Sequence, residues 1–564
     1  MARKESGVAA AAWPQTKPES GRRLTATRPT PRQARKGGAM MIFRLILSTV
    51  LFAPLAGGVS VAGPVATASA SPATPLCTTS PSTAPNVDTD CPGRLPNTFE
   101  TTLAVNPTNP HNLVGAAINA QAAPQGRHVD FTATVEPHVS FDGGRSWATY
   151  TINFNSYTKV IDPSVAFDPS GTVYLAAAAS GGSNNQDIVM SRSDNGGQTW
   201  SSPQRVAAGS GSGGVGTGND HPQLATFGNG NVIITWIGSS YGQQGTLVSA
   251  PMYDVVSHDG GQNWSSPTVI SGSASWCVGS QGDSSCDLAF GNAVAVSAAG
   301  IVVTFQDTHQ DSPAGTTNLG RNVHLAVTVD PATGALRGGP FFIGQAYDGV
   351  IEHDFPVNTR QIQTLHDSQL NLDLDGNVAA DPSDGTGRHL AAVWYDDRNA
   401  PHPVASDPYQ AVTNSDIAVS QSFDGGQTWS PPTTISEPND QFMPWAIYDA
   451  TGRLHIGYLD RVYDPANHEY GYTLASETAR GNLTFSLSQV TTALSDPTQG
   501  ALPGPFPTVN PAFPHPAPGI GDYTTLAVTP ASVVAMWTDE RATRCTSNGC
   551  GSVEDAYFAS VPLN

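Results

Sequence analysis

The chain has 564 residues, of which 57 are Gly and 45 are Pro, and only 13% of its residues are charged. So many helix-breaking residues exclude a coiled coil or a helical bundle, and a hydrophobic content of 39% excludes a mostly disordered chain. Short runs of Val, Thr, Ser and aromatic residues between the breakers are typical of strands joined by turns. The composition therefore predicts a large all-β protein.

The N-terminal region is basic and differs from the rest of the chain. It contains Arg44, then an apolar run, then small residues that end at Ala70 in the A-x-A arrangement that signal peptidase accepts. This pattern predicts an upstream extension over residues 1–39 and a signal peptide over residues 40–70, cleaved after Ala70. We therefore expect a secreted protein.

The whole chain carries a formal net charge of −20, and its basic residues concentrate in the leader, so the exported part is more acidic still. An acidic surface is a poor match for nucleic acid. No stretch after the leader approaches the ~20 apolar residues that a membrane-spanning helix needs. We expect a monomer with neither nucleic acid nor a membrane as its partner.

The six cysteines form three close pairs in the sequence. Because disulfides persist in oxidising compartments, export favours three local disulfides, with crossed pairing between loops as the alternative. The expected pairs are Cys77 with Cys91, Cys277 with Cys286, and Cys545 with Cys550. The first pair falls in a linker over residues 71–97, ahead of the repeats.

Four segments share one octapeptide, which reads SFDGGRSW at Ser140–Trp147, SDNGGQTW at Ser193–Trp200, SHDGGQNW at Ser257–Trp264 and SFDGGQTW at Ser422–Trp429. The Gly pair permits positive φ, and the Asp carboxylate can accept N–H groups of the turn. The Trp leaves the turn as a large apolar side chain for the adjacent core. The octapeptide therefore predicts a tight hairpin turn in each copy.

A second repeat, two β runs around a turn, occurs seven times between residues 98 and 564. Where the octapeptide is present it follows this hairpin inside a second pair of runs, so one unit is four antiparallel strands. Units of this kind arranged in a ring are the blades of a β-propeller. The last unit ends after three strands, which leaves an N-terminal strand before Glu100 as the candidate to close the ring.

The octapeptides match the Asp-box, or BNR, repeat, so residues 98–563 resemble sialidases and other secreted glycan-acting propellers. Sialidases have six blades, so a six-bladed propeller is the alternative to seven. The resemblance implies a secreted exo-α-sialidase-like glycoside hydrolase that cleaves terminal acidic sugars. It also implies a structural role for Asp142, Asp259 and Asp424 on the face opposite the active site. The alternative is a non-catalytic propeller that binds glycan or protein on its top face.

Positions just before the first run and just after the second run of each unit are expected to meet at one rim near the ring axis. These positions are rich in charged residues, whereas the chain as a whole is not. The rim residues are Asp162, Asp220, His221, Asp307, Asp396, Asp397, Arg398, Asp460, Arg461, Asp522, Tyr523, Asp539, Glu540 and Arg541.

Sialidases hold the substrate carboxylate with three arginines, because a guanidinium binds a carboxylate through paired hydrogen bonds. The resemblance implies such a clamp from Arg398, Arg461 and Arg541, with Tyr523 as nucleophile. It implies Glu540 or Glu352 as the base and one of Asp397, Asp162 and Asp220 as the acid. Each arginine follows an acidic residue by one or two positions, so the alternative is a ring of structural salt bridges.

One acidic turn offers hard oxygen ligands. Asp373, Asp375 and Asn377 could ligate Ca²⁺, although the spacing lacks the complete EF-hand pattern, and a solvated turn is the alternative. We expect no other cofactor.

Overall fold

A computed structural model of the protein describes residues 73–92, 97–123, 130–181, 185–212, 215–242, 247–277, 279–308, 322–346, 365, 376–399, 413–496, 520–546 and 549–563. Within these ranges the chain forms 31 β-strands and no α-helix, which confirms the expected all-β class. No helix in the described part of the chain could therefore cross a membrane.

Two short strands, β1 (Cys77–Thr78) and β2 (Val87–Asp88), precede the repeats. The other strands form seven successive antiparallel arrays within the described residues. Array 1 contains β3 (Thr98–Val105), β4 (Leu113–Ala123), β5 (Asp130–Ser140) and β6 (Ala148–Thr149). Array 2 contains β7 (Lys159–Phe167), β8 (Val173–Ser180), β9 (Asp187–Ser193) and β10 (Gln204–Ala207). Array 3 contains β11 (Ser210–Ser212), β12 (Val215–Thr226), β13 (Val232–Tyr241), β14 (Leu247–Ser249), β15 (Met252–Ser257) and β16 (Thr268–Val269).

The remaining four arrays follow in chain order. Array 4 contains β17 (Ala289–Ser297), β18 (Gly300–Asp307), β19 (Val323–Val329) and β20 (Leu336–Gln345). Array 5 contains β21 (Asn377–Ala380), β22 (Leu390–Asp396), β23 (Asp416–Ser422) and β24 (Thr433–Ile435). Array 6 contains β25 (Gln441–Tyr448), β26 (Leu454–Asp460), β27 (Gly471–Glu477) and β28 (Phe485–Gln489). Array 7 contains β29 (Thr525–Val528), β30 (Ser532–Thr546) and β31 (Gly549–Pro562).

The arrays follow one another around an axis. In array 3 the short strand β11 precedes the first long strand, so we count β12 as the first strand of that array and β13 as the second. The first strand of each array contacts the first strand of the next, in the order β3, β7, β12, β17, β21, β25 and β29, and β29 contacts β3 again. Arrays 1 and 2 also share a single parallel pair, Ala133 with Lys159, which joins them into one large sheet. A closed succession of small antiparallel sheets is the architecture of a β-propeller.

The core lies between neighbouring arrays. Separate clusters of buried apolar side chains join arrays 1 and 2, 2 and 3, 3 and 4, and 4 and 5, and one larger cluster spans arrays 5, 6 and 7. Middle strands such as β8, with the sequence VYLAAAAS, are buried along their whole length because both faces pack against other arrays. Trp236, Trp394 and Trp537 are buried on the second strands of arrays 3, 5 and 7.

The N-terminal segment completes the ring, as the sequence predicts. Strand β2 pairs with β31 as the fourth strand of array 7, and β1 pairs with β6 of array 1. The expected disulfides Cys77–Cys91 and Cys277–Cys286 are present. Cys545 and Cys550 are backbone partners across β30 and β31, but their side chains lie outside the described part, so the third disulfide stays a prediction.

The four octapeptides form the same turn. In each copy the Ser Oγ donates to the Asp or Asn Oδ1 at 2.9 Å and accepts the N–H of the second Gly at 2.9 Å. Both glycines have positive φ in every copy. Trp147 is buried against Phe558, whereas Trp429 is half-buried and packs against the core between arrays 4 and 5, so the neighbouring core covers Trp429 less completely than the sequence predicts. Trp147 is covered because β31 and the N-terminal segment pack over it.

Candidate functional site

The first strands carry a repeated irregularity near the axis. A bulge interrupts the register of β3, β7, β12, β17 and β25, and one residue at each bulge lies in the left-handed region. The bulged residues are Glu100, Asp162, His221, Gly291 and Met443, with φ of 54°, 55°, 47°, 54° and 51°. A bulge redirects a side chain, and positive φ at residues other than Gly is uncommon. Since the first strands meet around the axis, the bulges bring their side chains together.

Five titratable residues form an axial cluster, namely Glu100, Asp162, Asp220, His221 and Asp522. The Glu100 carboxyl is hydrogen-bonded to Asp162, and Asp162 is hydrogen-bonded to Asp220. The backbone N–H of His221 donates to Asp162 Oδ2 at 3.2 Å, and His221 Nε2 lies 3.9 Å from Asp522 Oδ2. The cluster therefore joins arrays 1, 2 and 3 to the segment that enters array 7.

The carboxyls of the axial cluster have opposite pKa shifts. Burial raises the pKa of Asp162 to about 7, and burial with the charges of Asp162 and Asp522 raises the pKa of Glu100 well above its ordinary range. Burial alone would also raise the pKa of Asp220. His221, the hydrogen bond with Asp162, and Lys159 outweigh that effect and lower it. A carboxyl that holds its proton more strongly than usual thus lies in contact with a carboxyl that loses its proton more readily than usual.

The axial cluster reaches solvent on one side. Glu100 and Asp162 are buried, whereas Asp220 is half-buried and the Asp522 side chain is 24% exposed. Among the described residues no N–H or hydroxyl group donates to Glu100 Oε2, although this atom is buried. A buried polar atom in that state is costly, so the site holds unused capacity to bind a polar group.

The structure brings together several residues that the sequence assigned to one rim. Asp162, Asp220, His221 and Asp522 contact one another, and the Tyr523 hydroxyl donates to the Pro163 carbonyl at 3.1 Å beside them. Sequence analysis did not identify Glu100 and Lys159 as members of the site. Two signals were available. Glu100 is the one acid in the run TFETTLAV, and Lys159 is the one lysine after residue 70.

Two of the three predicted clamp arginines occupy matching positions with matching partners. Arg398 binds Asp396 through Nε at 2.8 Å and Nη2 at 2.5 Å, and Arg541 binds Asp539 in the same way at 2.7 and 2.5 Å. Trp394 and Trp537 donate to the same two aspartates, each at 2.9 Å. The recurring W-x-D-x-R sequence therefore builds a buried acid held by Trp and Arg.

Arg461 does not share this position. It follows Asp460 directly, whereas the other two arginines follow their aspartates by two residues, so its side chain takes a different direction from the strand. Its Nη1 lies 3.2 Å from Asp440 Oδ2, and both side chains are fully buried. The ion pairs of the three arginines with aspartates favour the structural salt-bridge alternative, and the clamp stays a prediction.

Of the other predicted catalytic residues, Glu540 lies within β30 and Asp397 directly follows β22. Glu540 is buried, and burial followed by the charge of Glu554 raises its pKa well above the ordinary range. Asp397 accepts the backbone N–H of Asn414 at 2.7 Å, and burial raises its pKa to about 8. Glu352, the alternative base, lies outside the described residues. Roles for these residues stay predictions.

The predicted Ca²⁺ ligands are only partly described. Asp373 and Asp375 lie outside the described residues. Asn377 is buried, its Oδ1 accepts the Ala446 N–H at 2.6 Å, and its Nδ2 donates to the Ala446 carbonyl at 2.9 Å. Asn377 therefore links β21 to β25, which is a structural use of its amide.

A cavity lies between arrays 4 and 5. Phe290, Asn292, His324 and Trp394 are among the residues that line it, and the axial carboxyls are not. The Phe290 ring is 5.9 Å from the His221 ring, so one wall of the cavity borders the axial cluster. The axial cluster and this cavity are therefore neighbours.

Comparison with known proteins gives similarities at low identity. No family model matches the chain, and no curated protein matches it. A protein of unknown function from Dyadobacter fermentans is 14% identical over 73% of this chain and 97% of that chain, with a TM-score of 0.41. An α-L-arabinanase from Penicillium chrysogenum, solved with arabinobiose, is 15% identical over 67% and 94%, with a TM-score of 0.40. A sialidase from Trypanosoma rangeli, solved with the inhibitor DANA, is 13% identical over 67% and 54%, with a TM-score of 0.36. Because the identities are this low and each TM-score is below 0.5, these similarities carry no argument about what this chain does.

Proposed function

We propose that this chain is a secreted seven-bladed β-propeller that hydrolyses glycosidic bonds in a neutral glycan at the axial cluster. The seven arrays correspond to the blades, and the leader and the disulfides support export. One observation carries the proposal. One side-chain ligand atom each of Asp162, Asp220 and His221 lies within 4.8 Å of the others where several first strands meet, and the pKa of the buried Asp162 is raised while that of Asp220 is lowered.

This pair supplies both halves of acid–base hydrolysis. Because the two carboxyls are in contact, they act as a pair that shares one proton. Asp162 gives that proton to the glycosidic oxygen as the bond to the anomeric carbon breaks, and Asp220 stabilises the positive charge that develops on the sugar. Water then adds to the anomeric carbon and loses its proton to Asp220. The hydrogen bond between the two carboxyls returns that proton to Asp162 and restores the starting state.

The charge of the axial cluster favours a neutral sugar over a sialic acid. Glu100, Asp162, Asp220 and Asp522 are all acids, and the cations beside them are Lys159 and His221. The carboxylate of an acidic sugar would be repelled by ionised Asp220. The arginines suited to such a group bind aspartates instead. The proposal therefore departs from the acidic substrate that the sialidase resemblance implies.

A panel of aryl glycosides tests the proposal on the purified mature protein. We expect turnover of at least one neutral glycoside, and a loss of about 10²- to 10⁴-fold in kcat/KM for Asp162→Asn and for Asp220→Asn. Asp254→Asn is the matched control, because Asp254 is also a buried acid with a raised pKa but lies on β15.

Two results would contradict the proposal. Turnover of an aryl sialoside that depends on Arg541 and not on Asp162 supports the arginine clamp. Glycan binding without turnover of any glycoside supports a non-catalytic propeller that binds glycan on its top face.

A further inference from the structure

The cavity between arrays 4 and 5 is built on one row of residues that crosses array 4. Phe290 on β17 pairs with Gln306 on β18, Gln306 pairs with His324 on β19, and His324 pairs with Gly344 on β20. Directly opposite residues of antiparallel strands have their side chains on the same face of the sheet. The three side chains of the row therefore face one space, and all three line the cavity.

Trp394 of array 5 forms the opposite wall. Its ring packs on Gly344, where an added Cβ atom would lie 2.9 Å from two of the ring atoms. The centroid of the Trp394 ring is 4.7 Å from that of the His324 ring. The indole N–H donates to Asp396, which fixes the position of the ring. The cavity therefore combines aromatic walls with the polar side chains of Gln306 and His324.

Two polar atoms of the row are buried and have no hydrogen-bond partner among the described residues. They are Nε2 of Gln306, a residue that is 3% exposed, and Nε2 of His324. Burial, with the charge of Arg398, lowers the pKa of His324 to about 3, so the imidazole is neutral near neutral pH. A buried polar atom without a partner is costly. A ligand group that reaches both nitrogens removes this cost.

Size and chemistry limit what can enter the cavity. The space that the centre of a water molecule can reach is about 20 Å³, which holds one or two small groups and is too small for a sugar ring. Gln306 Nε2 can only donate, whereas the neutral His324 Nε2 donates or accepts according to its tautomer. A hydroxyl group both donates and accepts, so it suits the two nitrogens with either tautomer. A carboxylate would have to bury its charge.

The cavity adjoins the axial cluster through its own wall. Asn292 lines the cavity, and its Nδ2 donates to the His221 carbonyl at 2.6 Å while its Oδ1 accepts the Thr235 hydroxyl at 2.5 Å. The amide of Asn292 is therefore used for structure and is not offered to a ligand. The Phe290 ring is 5.9 Å from the His221 ring. A sugar bound at the axial cluster is thus next to the cavity.

We propose that this cavity binds the exocyclic hydroxymethyl group of a neutral hexopyranose, with Gln306 and His324 as specificity-determining residues. The hydroxyl accepts from Gln306 Nε2 and forms a hydrogen bond with His324 Nε2, and the methylene group contacts the rings of Phe290 and Trp394. A pentopyranose lacks this group and leaves both nitrogens without a partner. The inference rests on the proposed function, because it assigns one part of the neutral glycan that the axial cluster is proposed to cleave.

Matched methyl glycosides test the site on the purified mature protein by calorimetric titration. The members of each pair differ only in the hydroxymethyl group: β-D-glucoside and β-D-xyloside, β-D-galactoside and α-L-arabinopyranoside, α-D-glucoside and α-D-xyloside, and α-D-mannoside and α-D-lyxoside. We expect at least one hexoside to bind about tenfold or more tightly than its partner, because the pentoside leaves buried polar atoms unpaired. Aryl glycosides of the same pairs should show this ratio in kcat/KM.

Two variants locate the preference. Gln306→Met nearly keeps the side-chain volume and removes the donor, so the preference should fall to about threefold or less while binding of the pentoside is unchanged. Gln421→Met is the matched control. Gln421 is 4% exposed, and its buried Nε2 also has no partner among the described residues, but it lies on β23 and does not line the cavity. This variant should keep the wild-type preference.

Three outcomes overturn the inference. They are equal binding of each hexoside and its pentoside by the wild-type protein, absence of binding by any hexoside, and a preference that Gln306→Met does not reduce. The wild-type comparison needs no variant. A crystal structure of the complex should place the hydroxymethyl oxygen roughly 2.7 to 3.2 Å from Gln306 Nε2, and a cavity that holds only ordered water in that complex also overturns the inference.

Failure of the proposed function gives a different result. A preference for the hexoside in binding, without turnover of any aryl glycoside, contradicts hydrolysis and leaves this site in place. Turnover that depends on Asp162 but is equal for hexosides and pentosides contradicts this site and leaves hydrolysis in place.

Discussion

Replacing Arg541 with Ala separates the two interpretations of the arginines. The side chain is 13% exposed, and it holds Asp539, which is 1% exposed, through two hydrogen bonds. It also donates to Asn86, Thr491 and Thr492 at 3.0, 2.7 and 2.8 Å. Arg541 therefore joins the N-terminal segment and the chain after β28 to β30, which is a structural use of nearly every donor it has.

The magnitude follows from the charge that is left behind. Removing one partner of a buried ion pair costs about 3 to 5 kcal/mol, because the other charge stays buried and unpaired. Trp537 still donates to Asp539 at 2.9 Å, which places the expected loss for Arg541→Ala near the lower end. A loss of about 3 kcal/mol is a large part of the 5 to 15 kcal/mol that ordinarily stabilises a folded domain.

Denaturant unfolding followed by tryptophan fluorescence measures this loss. Arg337→Ala is the matched control, since Arg337 binds Asp330 through Nε and Nη2 at 3.0 and 2.8 Å but is 53% exposed. Exposed pairs contribute about 0 to 1 kcal/mol, so the control should unfold almost as the wild type does. Wild-type stability in Arg541→Ala, together with lost binding or turnover of a sialoside, would refute the structural role and support the clamp.

Three further predictions follow from burial and geometry. Trp147→Ala should lower the free energy of unfolding by about 3 to 5 kcal/mol, because Trp147 is buried against Phe558. Trp429→Ala should lower it by less, because Trp429 is half-buried, and equal losses in unfolding experiments would contradict this. Burial raises the pKa of Asp254 to about 8, so the folded protein retains a proton that the unfolded chain releases above about pH 4. Wild-type stability should therefore fall between about pH 4 and pH 8 more steeply than that of Asp254→Asn, and parallel pH profiles would exclude a shifted Asp254. Peptide mapping without reduction should find Cys545 linked to Cys550, and a crossed pair would contradict the register of β30 and β31.

The repeats made the architecture predictable, because hairpins, turns and four-strand units are local properties of the sequence. The closing strand was predictable by counting, since the last unit ends one strand short and β2 supplies the missing partner. The rim was also predictable, and Asp162, Asp220, His221 and Asp522 do meet. Each of these inferences needed only strand order and the alternation of side chains along a strand.

The parts that could not be predicted depend on backbone conformation and on register between arrays. Glu100 joins the axial cluster through a bulge at φ 54°, and a single sequence does not reveal which residue of TFETTLAV takes that conformation. The partner of Arg398 was predictable, because an acidic residue, Asp396, precedes this arginine by two positions and the salt-bridge alternative rests on such neighbours. Arg461 pairs with Asp440 instead, and that contact depends on how the loop before β25 packs.

Aspartates have different roles in the octapeptide turns and in the axial cluster, and the number of hydrogen-bond donors around each carboxyl decides which role it has. In the octapeptide turn Asp259 accepts the side-chain amide of Asn263 and nearby backbone N–H groups, which lower its pKa to about 2 and use its acceptors for structure. In the axial cluster burial raises the pKa of Asp162 to about 7, and no N–H or hydroxyl group of the described residues donates to Glu100 Oε2. An acid whose acceptors are filled by its own turn has nothing left for a ligand. We therefore expect the functional carboxyls at the bulges of the first strands, where carboxyls outnumber hydrogen-bond donors, and not at the aspartates of the repeated octapeptide.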